Sequence, residues 1–175
     1  QQKKKLQLED YLNPQMYPDY LSNLRWTGDE EHFAYKKNNT LLRGHVKHES
    51  RDTLLTVEQL NARLNEIGVD SVKRLPSFNW LNSNRAYFYR DTLLVQYSFD
   101  QDVAQIVNRF PVEAENKDLH EEQYWLAYTR EDDLYIAMEE KEIRVTRDGG
   151  DGIVNGHYVH RREFGISKGT FWSPD

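Results

Sequence analysis

The chain contains no cysteine, which rules out a disulfide framework, a thiolate metal centre and a cysteine nucleophile together. It also lacks any apolar run close to the roughly 18 residues a membrane span requires, and no signal-peptide core is visible. Positive charge is in deficit: 23 Lys and Arg stand against 29 Asp and Glu, for a formal net charge of −6. Nucleic-acid phosphates and anionic membranes are bound by clustered Lys and Arg, so neither is expected as the main partner. The one basic run, Lys3 to Lys5, reads as a solvated terminus. The chain starts at Gln1-Gln2 without Met, which fits either a mature end left by signal removal or an arbitrary boundary.

What is present is aromatic. Apolar residues make up 38% of the 175, below the usual 45–50%, yet 13% are Phe, Trp or Tyr. This composition predicts one ordinary domain built of thin, aromatic-rich layers.

Those aromatics recur in a pattern. In LRWTGDEEHFAYKKNNTLLRG, Trp26 is followed by Phe33, Tyr35 and Leu41; in FNWLNSNRAYFYRDTLLVQY, Trp80 is followed by Tyr87, Tyr89 and Leu94. Each pair two residues apart shares one face of a strand, and TGDEE, KKNN and LNSN supply the hairpin turns, giving strand, turn, strand, turn, strand. A weaker copy in YWLAYTREDDLYIAMEEKEIRVTRDGG has Leu126, Tyr128 and Leu134, with Leu119 at the tryptophan position. Phe171-Trp172-Ser173-Pro174-Asp175 reads as the opening of a fourth. The anchors at 26, 80, 119 and 172 are about 40 to 54 residues apart, the period of four-stranded propeller blades.

The expected fold is therefore mainly β: a partial β-propeller of about three blades of antiparallel strands with one short inserted α-helix. Blade 1 is expected over about 20–50, the helix over about 56–68, blade 2 over about 76–110 and blade 3 over about 119–148, with a fourth starting at 169–175. About three blades cannot close a ring, so the chain reads as part of a longer polypeptide. The inserted helix is marked by Thr56 and Gln59 in capping-box spacing, by Val57, Leu60, Leu64 and Ile67 on one face, and by Gly68 as a C-terminal stop.

Gly165-Ile166-Ser167-Lys168-Gly169 matches the G-x-S-x-G nucleophile elbow of serine hydrolases. An elbow needs a strand turning into a helix, then an acid and a histidine further along the chain. Here Thr170-Phe171-Trp172 favours a strand, and no histidine follows Ser167. Ser167 is read as structural.

At Gly156-His157-Tyr158-Val159-His160-Arg161-Arg162-Glu163-Phe164-Gly165 and the following GTFWSPD, the chain resembles the dipeptidyl peptidase IV branch of the prolyl oligopeptidase family of serine peptidases. The resemblance extends to WLAYTREDDLYI, IRVTRDGGDGIVNG, the LTVEQLN helix and the LEDYLNP start, most of the chain; REFGISKGTFWSPD is its most specific part. It implies a propeller joined to a C-terminal α/β-hydrolase domain that carries the catalytic Ser, Asp and His. The activity implied is release of N-terminal di- or tripeptides, preferentially after proline. No catalytic residue and no cofactor is expected within these residues, the expected ligand is a peptide with a free N-terminus, and Ser167 is excluded a second time. The resemblance further implies an exported, periplasmic-type location and allows a homodimer. A non-enzymatic propeller acting as a protein-binding scaffold is the alternative.

In this family acidic residues just upstream of the W-S-P element hold the substrate's α-ammonium group. Glu163 is the acid in that segment, and its neighbours Arg161 and Arg162 replace the second glutamate of the double-glutamate form, which leaves di- and tripeptidyl release both open. The arginines can steady Glu163 or bind a substrate carbonyl through their donors; a surface ion pair is the competing role for all three.

His157, His160 and Glu163 have metal-ligand spacing for a helix, but the bordering glycines and β-branched residues argue for extended chain, so no metal is expected. His45 and His48 read as solvated loop residues. The acid pairs Glu30-Glu31, Glu121-Glu122, Asp132-Asp133 and Glu139-Glu140 read as exposed charge. Replacing Ser167 by alanine in the natural full-length polypeptide is expected to leave peptidase turnover unchanged; a loss of turnover would restore the serine as a nucleophile.

Overall fold

The computed structural model describes residues 7–12, 21–139, 141–157 and 165–173. A short helix α1 (Leu8–Tyr11) precedes the first four strands, β1 (Ser22–Trp26), β2 (His32–Lys37), β3 (Thr40–His45) and β4 (Arg51–Thr56). Helix α2 (Val57–Glu66) leads to β5 (Asn79–Asn82), β6 (Arg85–Arg90), β7 (Leu93–Ser98) and β8 (Val103–Arg109). The last set is β9 (Glu115–His120), β10 (Trp125–Arg130), β11 (Asp133–Met138) and β12 (Lys141–Arg144). Among the described residues these form three four-stranded antiparallel sheets, each in chain order. The fold is mainly β and consists of propeller-type sheets, with no closed barrel among the described residues.

Asn and Asp make several of the hairpins. Asn38 and Asn39, at φ 48° and 62°, join the paired ends Lys37 and Thr40, and Glu131 and Asp132, at 50° and 62°, join Arg130 and Asp133. Asn and Asp, which hold three of these four positions, tolerate this left-handed region better than most, and two such residues in succession match strand twist. Asn82 closes the β5–β6 turn by accepting from the backbone N–H of Asn84 at 3.0 Å and Arg85 at 2.9 Å. Asn39 also reaches outward, donating to the Lys73 carbonyl at 2.9 Å and accepting from Leu75 N–H at 3.2 Å. This ties the first sheet to the connection before the second.

The repeat pattern locates three strands per sheet; each sheet has a fourth. The aromatic pairs do share one face, but the residues between them are buried as well. In β6, Ala86 and Phe88 join the core formed with Ala34, Leu41 and Leu55 of the first sheet, while Tyr87 and Tyr89 pack toward Leu126, Tyr128 and Tyr135 of the third. In β7 the neighbours Leu94 and Val95 are both fully buried and divide between the same two cores. The middle sheet is thus apolar on both faces because a sheet covers each. The tryptophan anchors differ: Trp26 is 61% exposed, whereas Trp80 is half-buried, packs against the core between the first two sheets and stacks on Phe99 at 5.0 Å.

Polar joints accompany this stacking. Asn108, 2% exposed, donates to the Tyr124 carbonyl at 2.6 Å and the Ala137 carbonyl at 3.0 Å, so a side chain of the second sheet binds the backbone of the third. The Tyr124 hydroxyl donates back to Gln96.

Helix α2 forms as its sequence predicts. Thr56 Oγ1 accepts from Gln59 N–H at 3.3 Å and Gln59 Oε1 from Thr56 N–H at 2.9 Å, completing a capping box. At the other end Gly68, at φ 72°, donates to the Asn65 carbonyl and Val69 to the Leu64 carbonyl, the paired bonds of a Schellman stop. Leu60 and Leu64 are fully buried in the core between the first two sheets. Arg63, on the other side of the helix, binds Asp102 in the β7–β8 turn through Nε at 3.1 Å and Nη2 at 2.9 Å, and the Tyr97 hydroxyl donates to the same carboxylate. Among the described residues no helix is long and apolar enough to cross a membrane.

Leu60→Ala is expected to destabilise the protein by about 2–5 kcal/mol, read from urea unfolding, because transfer and cavity costs add at a closed site. The bonds from Tyr97 and then Arg63 hold the Asp102 carboxyl below its usual value. A lowered native pKa contributes stability above the unfolded value of about 4, and that stability drains as pH falls below it. Asp102→Asn should flatten the fall in unfolding free energy between about pH 4 and pH 2; an unchanged profile would show that the Tyr97–Asp102–Arg63 contact carries none of it.

Candidate functional site

Strand β9 is polar in sequence, yet Asp118 is its most buried residue at 8% exposure. Strand alternation directs Leu119 to the core shared with the second sheet and Asp118 and His120 to the opposite, outer face of the third sheet. Two later segments of chain cover that face. The first, residues 145–157, is organised by Asp133. Its carboxylate, 1% exposed, accepts from Thr146 Oγ1 at 2.7 Å, Gly149 N–H at 3.1 Å and Arg144 Nε at 3.1 Å. The Thr146 bond and the Arg144 guanidinium lower the carboxyl's pKa. Gly149 packs so close to the Asp132 carbonyl that a Cβ would lie 2.7 Å from it. The acid pair Asp132-Asp133, expected to be exposed charge, thus contains the organising centre of this loop; its partners follow it by 11 to 22 residues.

The second segment is 165–173. Lys168 Nζ pairs with Asp118 Oδ1 at 2.8 Å, Thr170 Oγ1 donates to Oδ2 at 3.1 Å, and Trp172 Nε1 donates to the Asp118 carbonyl at 3.2 Å. The Trp172 ring meets His120 edge to face at 5.2 Å. Residues 166–173 therefore lie on β9 through side-chain bonds and have no strand ladder among the described residues, although Thr170-Phe171-Trp172 favours one. Ser167 lies in this irregular stretch with no helix after it, and a nucleophile elbow is not formed.

The two segments meet. Gly156, at φ 70°, rests against Leu134 and Thr129, and a Cβ at Gly169 would lie 2.5 Å from the His157 carbonyl group. Asn116 donates to Thr129 Oγ1 at 2.7 Å and lies 3.4 Å from His157 Nδ1. Gly169 and His157 are thus in close contact beside the outer face of the third sheet.

Glu163, Arg162 and Arg161, the residues expected to bind substrate, lie between these two points and outside the described residues, as does His160. Of the other candidates, His45 is not a free loop histidine. It ends β3, its Nδ1 accepts from Lys47 N–H at 3.0 Å, and its ring lies 4.8 Å from His32 and 4.6 Å from His48. Glu31, 3.7 Å from His45 Nε2, also pairs with Lys47 at 3.0 Å. Among the described residues no three His, Asp or Glu side chains are arranged to hold a metal ion. Asp118 was not singled out by sequence reasoning. Its one legible signal is an acid on a strand position that alternation directs away from the core, and its partners stand 50 to 54 residues away.

Stacked four-stranded meanders that leave polar connections on an outer face define a propeller-type protein. The family model described as the dipeptidyl peptidase IV (DPP IV) N-terminal region matches residues 78–175, and the chain belongs to that family. A crystal structure of a Bacteroides ovatus ATCC 8483 protein assigned as a dipeptidyl aminopeptidase IV matches 90% of this chain at 31% identity and a TM-score of 0.74. Dipeptidyl peptidase 4 of Porphyromonas gingivalis matches 95% at 17% identity and a TM-score of 0.53, a likeness of fold. The chain spans 22% and 26% of the lengths of those two proteins.

Proposed function

We propose that this chain is the N-terminal propeller part of a serine exopeptidase that releases N-terminal di- or tripeptides, preferentially after proline. The supporting observation is the family match over residues 78–175 together with the 31% identity to the Bacteroides ovatus protein. In this reading the three sheets are the first blades, residues 169–175 lead into the next, and the nucleophile sits in a C-terminal hydrolase domain of the same polypeptide. The chain contributes substrate selection and access gating and has no hydrolytic activity of its own. The parent is exported, to the periplasm or beyond.

Glu163 is the group that selects. A carboxylate about 3 Å from an α-ammonium gains roughly 5 kcal/mol at an effective dielectric near 20, partly offset by desolvation. An internal peptide amide carries no charge and gains nothing at the same position. The pair therefore measures distance from the substrate's N-terminus and makes the enzyme an exopeptidase. Arg161 and Arg162 steady Glu163 or bind a substrate carbonyl.

In the natural full-length polypeptide, Glu163→Gln is expected to lower kcat/KM for free-amine peptides at least about 30-fold, the equivalent of about 2 kcal/mol, and to spare N-acetylated ones. An equal loss for both would remove the recognition role.

A further inference from the structure

The first and third sheets match strand for strand. In the first, Lys37 and Thr40 flank the two-residue turn between β2 and β3, Tyr35 is paired with Leu42, and Gly44 is paired with Phe33 on one side and Arg51 on the other. In the third, Arg130 and Asp133 flank the equivalent turn, Tyr128 is paired with Tyr135, and Ala137 is paired with Leu126 on one side and Glu142 on the other. Tyr35 therefore corresponds to Tyr128, Lys37 to Arg130 and Arg51 to Glu142, all on one face of their sheet.

In the third sheet these residues form a closed set. The Tyr128 hydroxyl donates to Glu142, and Arg130 binds the same carboxylate through Nη1 at 3.2 Å and Nη2 at 2.8 Å. The first sheet keeps the hydroxyl and the cation but has a second cation in place of the acid. Tyr35 is 2% exposed, and its buried hydroxyl has no hydrogen-bond partner. Neither Lys37 nor Arg51 makes an ion pair among the described residues. With Leu21, Ser22 and Asn38 these three line a cavity of about 460 Å³ that no acid enters. A buried donor beside two cations lacks an acceptor, and a carboxylate supplies one.

The place of this face in the stack shows what brings the carboxylate. The matching residue of the second sheet is Phe88, two positions before Arg90 at its turn. Phe88 packs into the core shared with the first sheet, and Tyr128 into the core shared with the second. In both cases the preceding sheet of the same chain covers the face. The first sheet has no sheet before it among the described residues. Beside the cationic cavity, and sharing Leu21 with it, lies the apolar one lined by Leu24, Trp26, Phe33 and Val46.

We propose that this face docks a further sheet of the natural full-length polypeptide, and that the docked sheet brings an Asp or Glu whose carboxylate is bound by Tyr35, Lys37 and Arg51. This rests on the reading of the chain as part of a longer propeller, which its 22% share of the length of the Bacteroides ovatus protein supports. The apolar cavity takes the covering side chains, and the cationic one sets their register. A slip of one residue in the incoming strand turns its acid to the other face and leaves the hydroxyl and both cations unmatched. The first sheet thus selects its neighbour by charge as well as by apolar fit.

The test uses the natural full-length polypeptide as wild type, Arg51→Glu and Tyr35→Phe. A water-soluble carbodiimide adds no spacer, so it joins an amine only to a carboxylate in contact with it; mass spectrometry of the wild-type protein then identifies the acid joined to Lys37. Hydrogen exchange of β2, β3 and β4 is read in all three proteins. The expected link is intramolecular and runs from Lys37 to an Asp or Glu outside these 175 residues. Exchange is expected to be about tenfold faster in Arg51→Glu, where carboxylate faces carboxylate, and about threefold faster in Tyr35→Phe, which loses only the hydroxyl. No link at Lys37, links only to acids within these residues, or links only between two copies would overturn the proposal, as would wild-type exchange in either variant. Neither readout uses peptidase turnover, so an inactive parent that shows the expected link and exchange would defeat the functional reading and leave the docking face standing.

Discussion

A β-sheet whose two faces are both apolar cannot bury itself, and the rest of this structure follows from that constraint. The middle sheet presents Ala86, Phe88, Val95 and Tyr97 on one side and Tyr87, Tyr89 and Leu94 on the other. Fully burying such side chains is worth about 1.5–3 kcal/mol each, so covering only one face would forfeit a large share of the driving force. Three sheets in a row satisfy the middle one. They leave the first with an outward face of its own, where Leu24, Trp26, Phe33 and Val46 line a cavity of about 480 Å³, and the third with an outer face occupied by its own later chain.

Apolar stacking sets which sheets meet; acids, two of them buried, set how the connections lie on them. Asp102 fastens α2 to the second sheet through Arg63 and Tyr97, Asp133 fastens the 145–157 loop, and Asp118 fastens 168–172. Each is matched by a cation and at least one further donor, the condition under which the desolvated carboxylates of Asp118 and Asp133 are tolerated. In a chain with a six-charge acidic excess, three acids thus serve as fasteners, Asp118 and Asp133 internally and Asp102 at the surface.

The difference between local and distant partners also explains what could be read from the sequence. The α2 capping box and the Gly68 stop depend on contacts within five residues, and the strand pairs at Phe33-Tyr35 and Tyr87-Tyr89 on alternation, so both were legible. The fourth strands were harder to see: Arg51–Thr56 has polar residues in its first three positions, and Lys141–Arg144 is exposed throughout. Asp118, within β9, and Asp133, beside a turn, were missed because an acid looks the same in sequence whether its partner is water or a lysine or arginine brought to it by the fold. Glu163, Arg161 and Arg162 are candidates through family resemblance alone, since nothing in their composition distinguishes a substrate-binding carboxylate from one in a surface ion pair.

The bond from Asn108 has a particular character, because its amide grips carbonyl oxygens of the adjoining sheet and not side chains. Every residue type offers that carbonyl, so substitutions at Tyr124 or Ala137 leave the acceptors in place. The angular step from one sheet to the next is thereby keyed to main-chain geometry, and the layers can change composition without losing their pitch.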